Sequence, residues 1–296
     1  MDGVRAPATA EVVQGVLQWY EVNARDLPWR RPGVTPWQVM VSEFMLQQTP
    51  VDRVLAPWHA WLQRWPSPPA LAAASVGEAV RSWGRLGYPR RALRLHQSAV
   101  AITERHDGEV PRDRDSLLKL PGVGSYTAAA ILSFAYGQRH VVLDTNVRRV
   151  LARIASGAAF ASATPSVSEL AIASDFLPRT APRASRWAVA SMELGALVCT
   201  ARGPQCQACP VRSLCAWRLA GYPTWNGPPR RGQSYAGTDR QCRGALLAVL
   251  RSSDEPVPEV ELGAAWSDPI QGRRALNSLL ADGLAVESDG TFALPR

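Results

Sequence analysis

Four cysteines, Cys199, Cys206, Cys209 and Cys215, follow the pattern C-x6-C-x2-C-x5-C. Thiolates this close in sequence can wrap one metal centre. Zinc ribbons use two separate C-x2-C knuckles, and this loop has a single close pair, so it is suited to winding around something larger. A cubane [4Fe–4S] cluster, in which each iron takes one thiolate, meets that demand; zinc and unrelated buried thiols are the alternatives. Cys242 falls outside the spacing and reads as a lone buried thiol. The second kind of chemistry is acid–base. In WQVMVSEFMLQQT, residues 37–49, Glu43 stands among Val39, Met40, Val41, Phe44, Met45 and Leu46. An ionised carboxylate buried without a partner is costly, so burial raises its pKa and lets it hold a proton near neutral pH. A general acid needs that property. A surface glutamate or a structural salt bridge is the plainer alternative. Asp144, just ahead of TNVRRVLARI, is a second candidate carboxylate, with helix N-capping as its plainer role.

LPGVGSYTAAAIL, residues 120–132, interrupts an apolar helical run with Pro121, Gly122 and Gly124. A Gly122-Val123-Gly124 turn without Cβ atoms lets the backbone approach a ligand closely. A helix starting near Ser125 adds free N–H groups and a positive dipole end. Together they suit a phosphate; an ordinary interhelical turn is the alternative. Tyr126 follows, and as a residue type it is equally at home in a core.

The elements that must position these groups are mostly helices. Residues 9–22 form an amphipathic pattern, RDLPWRRPGVTPW is an arginine- and proline-rich loop, and residues 37–48 form an apolar helix. Helical patterns continue to about residue 156, broken at WPSPP, at GYP and at the glycine turn. HVVLD is short and reads as the approach to a helix. Residues 221–238 have the composition of a linker. Beyond it, RGALLAVLRS and GRRALNSLLADG are helical, and LAVESDGTFAL is a hairpin turning at Ser-Asp-Gly. The expectation is an all-α protein with a small C-terminal winged-helix-like α+β domain, divided at 1–225, 226–238 and 239–296.

The formal net charge of +8 over 296 residues favours a polyanionic partner, nucleic acid first. Nearly all the basic residues are arginine; Lys119 is the only lysine. No run of 18 apolar residues calls for a membrane span, and the N-terminus has no signal-peptide core, so a cytoplasmic location is expected. The four histidines fit no ligand spacing, and the eleven tryptophans read mainly as core.

The cysteine spacing and the glycine turn resemble the endonuclease III and MutY branch of the helix–hairpin–helix DNA glycosylases, over about residues 10–220. That resemblance implies a six-helix domain plus an iron–sulfur cluster domain, with the N-terminal helix packing with the cluster domain. In members that also cut the strand, a lysine at the position of Tyr126 attacks C1′ as a neutral amine. Tyrosine there, with Lys119 seven residues earlier, implies base removal without strand cutting. SE-x-MLQQT looks like the catalytic helix of the MutY adenine glycosylases. By that likeness Glu43 protonates adenine N7 and then assists water, Asp144 stabilises the oxocarbenium-like transition state, and Tyr126 supports the site. Thr145 stands where the bacterial family usually has glycine. The base pocket would take Arg25, Leu27, Trp29, Arg30, Val51 and Glu193, the last either accepting from the adenine amino group or held in a helix salt bridge. Gln47 would lie one turn from Glu43, near its face. Gln48 and Thr49 would enter the duplex, and Leu86 and Tyr88 would face 8-oxoguanine. Gly122, Val123, Gly124 and Ser125 would grip the backbone, with a monovalent cation on the hairpin carbonyls. The implied partner is double-stranded DNA containing A:8-oxoguanine or A:G, bound by a monomer. The roughly 60 residues after the linker are too few for the Nudix-like domain that ends a typical bacterial member. A thymine or uracil mismatch glycosylase of the same superfamily, or a non-catalytic lesion-binding protein, are the competing readings.

Overall fold

Thr35-Pro36-Trp37-Gln38 starts the helix that carries Glu43. The Thr35 hydroxyl accepts from the Gln38 N–H at 3.3 Å, and the Gln38 side-chain oxygen accepts from the Thr35 N–H at 2.8 Å. This is a capping box with proline at the first helical position. The helix runs Pro36–Leu46, and residues 39–45 are all buried, as expected of a helix apolar on every side. It ends two residues before the expected 48, because Gln48 turns left-handed (φ 56°) ahead of Pro50. Gln47 therefore lies beyond the helix rather than one turn along it.

A computed structural model describes residues 9–225, 227 and 235–296. Most of the expected linker at 226–238 lies outside the described residues, as do residues 1–8. The chain divides into two compact units, each assembled from separated segments. One takes the residues up to Val39, Arg112–Arg114 and the stretch from Gly124 to the linker; the other takes Met40–Pro111, Asp115–Val123 and the residues after the linker.

In the first unit, helix Thr9–Asn23 buries Val12, Val13, Val16 and Leu17. They join Val147, Val150, Leu151 and Ile154 of helix Thr145–Ile154, and Ala184, Trp187, Ala190 and Leu194 of helix Ala181–Leu197, in one core. Cys199, Cys209 and Cys215 pack against its edge. HVVLD forms no strand, only the extended approach to helix Thr145–Ile154.

In the second unit, helix Arg90–Arg105 packs against helices Pro68–Ala72 and Val76–Trp83. The same unit contains the C-terminal domain: helix Asp239–Ser252, strand β1 (Val257–Pro258), helices Glu259–Gly263 and Pro269–Ala281, then strands β2 (Val286–Ser288) and β3 (Thr291–Ala293). The antiparallel sheet has the order β1-β3-β2, the winged-helix sequence of elements. The β2–β3 hairpin turns on Asp289 (φ 51°) and Gly290 (φ 72°), a two-residue loop whose positive φ angles match the strand twist. Cys242 is fully buried in the first of these helices. The domain is seated on helix Val76–Trp83. Gly77 has no side chain where the Pro295 carbonyl passes. Arg81 donates to the carbonyls of Arg251 and Ser253, and Arg251 donates to the Val80 carbonyl at 3.0 Å.

Candidate functional site

Glu43 is 6% exposed, between Ser42 and Phe44, which are also buried. The C-terminal end of its helix leaves carbonyls that need donors, and Arg91 supplies them. This buried guanidinium donates to the carbonyls of Phe44 (2.8 Å), Met45 (2.9 Å) and Gln47 (2.5 Å), to the Thr49 hydroxyl (2.9 Å), and to the carbonyls of Gly87 (3.0 Å) and Leu86 (3.4 Å). A cation at the negative end of a helix is stabilising. Burial lowers the Arg91 pKa to about 10, still well above neutrality, so the charge is retained. Thr49 also donates to the Leu86 carbonyl at 3.3 Å. Within the second unit, then, Gln47, Thr49, Leu86 and Tyr88 converge on one guanidinium. Gln48 is exposed and left-handed; Val51 is half-buried at the start of helix Val51–Arg64.

The glycine turn packs on the same helices. Pro121 accepts from the Ser98 hydroxyl at 2.6 Å. Gly122 has φ 82°, and a Cβ there would lie 2.7 Å from Arg94 Cβ and 2.9 Å from Phe44 Cε1. Val123 is buried. Gly124 caps helix Ser125–Phe134 from extended backbone (φ −95°), and a Cβ there would meet nothing within 4 Å. One glycine is thus required by packing, and the other leaves open space at a helix N-terminus where Ser125 is exposed.

In the first unit, Tyr126 packs against Ala129, Ala130, Val142 and Ala188. Asp144 is the N-cap of helix Thr145–Ile154 and accepts from the Val147 N–H at 2.6 Å and the Asn146 amide at 2.7 Å. Burial pushes its carboxyl above the ordinary value, while these hydrogen bonds and the Arg149 charge oppose that push. Arg149 continues the chain of contacts: it donates to Asn146 Oδ1, the Gly195 carbonyl and the Cys199 carbonyl, each at 2.7 Å. Gly195 permits this approach, since a Cβ there would sit 2.7 Å from Asn146 Cβ.

Arg25, Arg30 and Glu193 form one cluster, with Leu27 and Trp29 buried beside Arg30 in the turn Pro28–Arg30. The Glu193 carboxylate is fully buried. One oxygen accepts from the Arg25 N–H (3.0 Å) and Nε (2.8 Å), the other from Arg25 Nη2 (2.8 Å) and Arg30 Nη1 (3.0 Å). Four donors fill a carboxylate's acceptor sites, and Glu193 stands in a salt bridge with both arginines. Burial raises the Glu193 pKa, but hydrogen bonds and charge from Arg25 and Arg30 outweigh it and leave the carboxyl below its ordinary value. A depressed folded-state pKa gives stability that is present above the unfolded pKa and is lost as pH falls through the folded one. Glu193→Gln should therefore lower stability by about 2 kcal/mol near neutrality, after discounting the partial exposure of the arginines. It should also flatten the acid side of a plot of thermal midpoint against pH. An unchanged acid limb would show that this cluster is not the group responsible.

Cys199, Cys206, Cys209 and Cys215 line one pocket with Leu194, Val198 and Trp217. The buried Arg153 guanidinium donates to Cys199 Sγ at 3.3 Å and lies 4.6 Å from the centre of the Trp217 ring. Burial and the neighbouring thiols push the Cys209 thiol up to about 11, opposed by a hydrogen bond from Val211. Among the described residues no group of three or more His, Cys, Asp or Glu side chains is arranged to hold a metal ion, and no helix is long and apolar enough to cross a membrane. An all-thiolate set lining a common pocket suits a multi-iron centre bound through sulfur.

Residues 41–171 match the family described as HhH-GPD superfamily base excision DNA repair protein. The adenine DNA glycosylase of Mycobacterium tuberculosis is 57% identical over 284 residues, covering 95% of this chain and 92% of that protein. That of Mycolicibacterium smegmatis is 56% identical over 283 residues, covering 94% of each. Among solved structures, a thermostable thymine-DNA glycosylase superposes with a TM-score of 0.63 over 72% of this chain and 97% of that one; at 24% identity the likeness is one of fold. Identity of this order, sustained from the capped helix of Glu43 through the cysteine loop and into the C-terminal domain, means that the chain belongs to the adenine DNA glycosylases of the helix–hairpin–helix superfamily.

Proposed function

We propose that the protein hydrolyses the N-glycosidic bond of adenine mispaired with 8-oxoguanine or guanine in duplex DNA, leaving an abasic site for base excision repair. The observation that carries this reading is Glu43, a carboxyl buried in an apolar helix that the turn at Gly122 touches. The adenine must first leave the stack, at a cost of a few kcal/mol. Glu43 as acid gives its proton to adenine N7. The C1′–N9 bond then breaks with its electron pair going to the base, and positive charge develops on the sugar. Asp144, held in its N-cap geometry, stabilises that charge electrostatically. Water adds to C1′ and yields a proton to the Glu43 carboxylate, which restores the acid. Tyr126 offers no amine for a Schiff base, so the strand stays intact. Arg25, Leu27, Trp29, Arg30 and Val51 line the base pocket, with Glu193 fixing the two arginines.

The four cysteines hold a [4Fe–4S] cluster in this reading. When bound, it cross-links a loop that has only two short 3-10 turns of its own, Cys206–Ala208 and Arg212–Leu214. Gln48, Thr49, Leu86 and Tyr88 meet the opposite strand. The turn Gly122–Ser125 receives a DNA phosphate and a monovalent cation, the latter on its carbonyls.

The turn gives a paired prediction. Gly122→Ala should destabilise the fold by about 2 kcal/mol or more, through steric overlap and positive φ. Gly124→Ala should leave the thermal midpoint unchanged yet weaken duplex binding, because its methyl group occupies space the backbone phosphate needs. Full affinity in a folded Gly124→Ala protein would remove the turn from the DNA interface. The overall reading is tested by single-turnover reactions on end-labelled duplexes carrying A:8-oxoguanine, A:G, T:G or U:G, with and without alkali. Cleavage of the adenine strand only after alkali is expected. Cleavage confined to T:G or U:G would replace adenine by a pyrimidine substrate, and binding without any alkali-labile product would make the protein a sensor.

A further inference from the structure

Winged-helix domains commonly bring a cationic helix or wing to nucleic acid, and this one has the wrong charge for that. Residues 239–296 carry six arginines against nine carboxylates, in a chain whose net charge is +8. The wing tip exposes Glu287 and Asp289. On helix Pro269–Ala281, Arg273 is paired with Glu259, and Arg274 with Asp239 at 2.6 Å. Arg243 is paired with Asp282 at 2.6 Å, and Arg251 is turned inward to the Val80 carbonyl.

Several of the domain's contacts flank or reach one loop, Gly84–Pro89, between helices Val76–Trp83 and Arg90–Arg105. Before the loop, Arg81 reaches the carbonyls of Arg251 and Ser253. After it, Arg90 pairs with Asp282 at 3.4 Å. At its apex, Arg240 donates to the Tyr88 hydroxyl at 3.3 Å. Tyr88 has φ 48°, a left-handed conformation that a bulky residue holds only when its surroundings impose it. Beneath it, Arg91 binds the Leu86 and Gly87 carbonyls and lies 5.5 Å from the Tyr88 ring centre. The ring is nonetheless 41% exposed.

We infer that the C-terminal domain acts as a specificity bracket: through Arg240 it holds Tyr88 in a strained, ring-exposed conformation that discriminates the purine opposite the excised adenine. Arg240 is a positioning residue, acting through Tyr88, and the domain itself does not read DNA. This rests on the function proposed above.

The test is a double-mutant cycle with Arg240→Ala and Tyr88→Phe, the latter removing only the hydroxyl. It is read as binding to duplexes with a non-cleavable abasic analogue opposite 8-oxoguanine or guanine, and as adenine excision rates opposite each. Losing one hydrogen bond should lower the 8-oxoguanine-to-guanine ratio about 3- to 10-fold in each single variant. The double variant should lose no more than either alone, Arg240→Lys should recover part of the ratio, and thermal midpoints should stay within about 2 °C. An unchanged ratio, equal weakening on both duplexes, or additive losses would overturn the bracket. Arg273→Ala should leave the salt dependence of binding unaltered; a slope lower by about one would make the helix a DNA reader and overturn the proposal. Should the wild type bind selectively yet release no adenine, the function would fail while the binding cycle still decides the bracket.

Discussion

Glu43→Gln is expected to bind mispaired duplex with unchanged affinity and to release adenine about a thousandfold more slowly. A positioned general acid contributes about 10²–10⁴ in rate, and the amide keeps the shape and hydrogen-bonding capacity of the carboxyl but has no proton to give. The site is 6% exposed, so bulk water is a poor substitute donor. Single-turnover rates and duplex affinity of one preparation check both points. Retained rate would remove Glu43 as the acid, and lost affinity would make it a binding residue.

Cys206→Ser is expected to yield protein without brown colour and with thermal stability lowered by on the order of 10 °C, or none in the soluble fraction. The loop from Cys199 to Cys215 packs Val211 and Leu214 into the core of helices Thr9–Asn23 and Ala181–Leu197. With so little regular structure of its own, its order depends on the metal centre, whose binding energy is folding energy. Iron and acid-labile sulfide content, visible absorbance and thermal unfolding are the measurements. Wild-type protein that is colourless and fully active, or that contains about one zinc per chain, would remove the cluster.

What the sequence made legible was local. The apolar run around Glu43, the N-cap at Asp144, the glycine turn and the Asp289-Gly290 hairpin each follow from neighbouring residue types, and the structure has each of them. What it hid was arginine. Arg91, Arg149 and Arg153 look like surface charge in a basic chain, yet each is buried or half-buried on backbone carbonyls. The carbonyls at the end of the Glu43 helix depend on the same chemistry, since the guanidinium that binds them sits on another helix. Likewise Arg25, Arg30 and Glu193 could be nominated singly from their motifs, but nothing within either motif states that one carboxylate takes four hydrogen bonds from arginines more than 160 positions away.

The interleaving of the two units bears on how the chain is made. Val12, Val16 and Leu17 share a core with Leu194 and Val198, and the segment holding Glu43 shares a unit with residues beyond the linker. A nascent chain leaving the ribosome cannot complete either unit from its first hundred residues. Its opening amphipathic helix must wait for partners translated some ten or more seconds later, at about 5–20 residues per second. Such high contact order slows folding and leaves apolar faces open during synthesis.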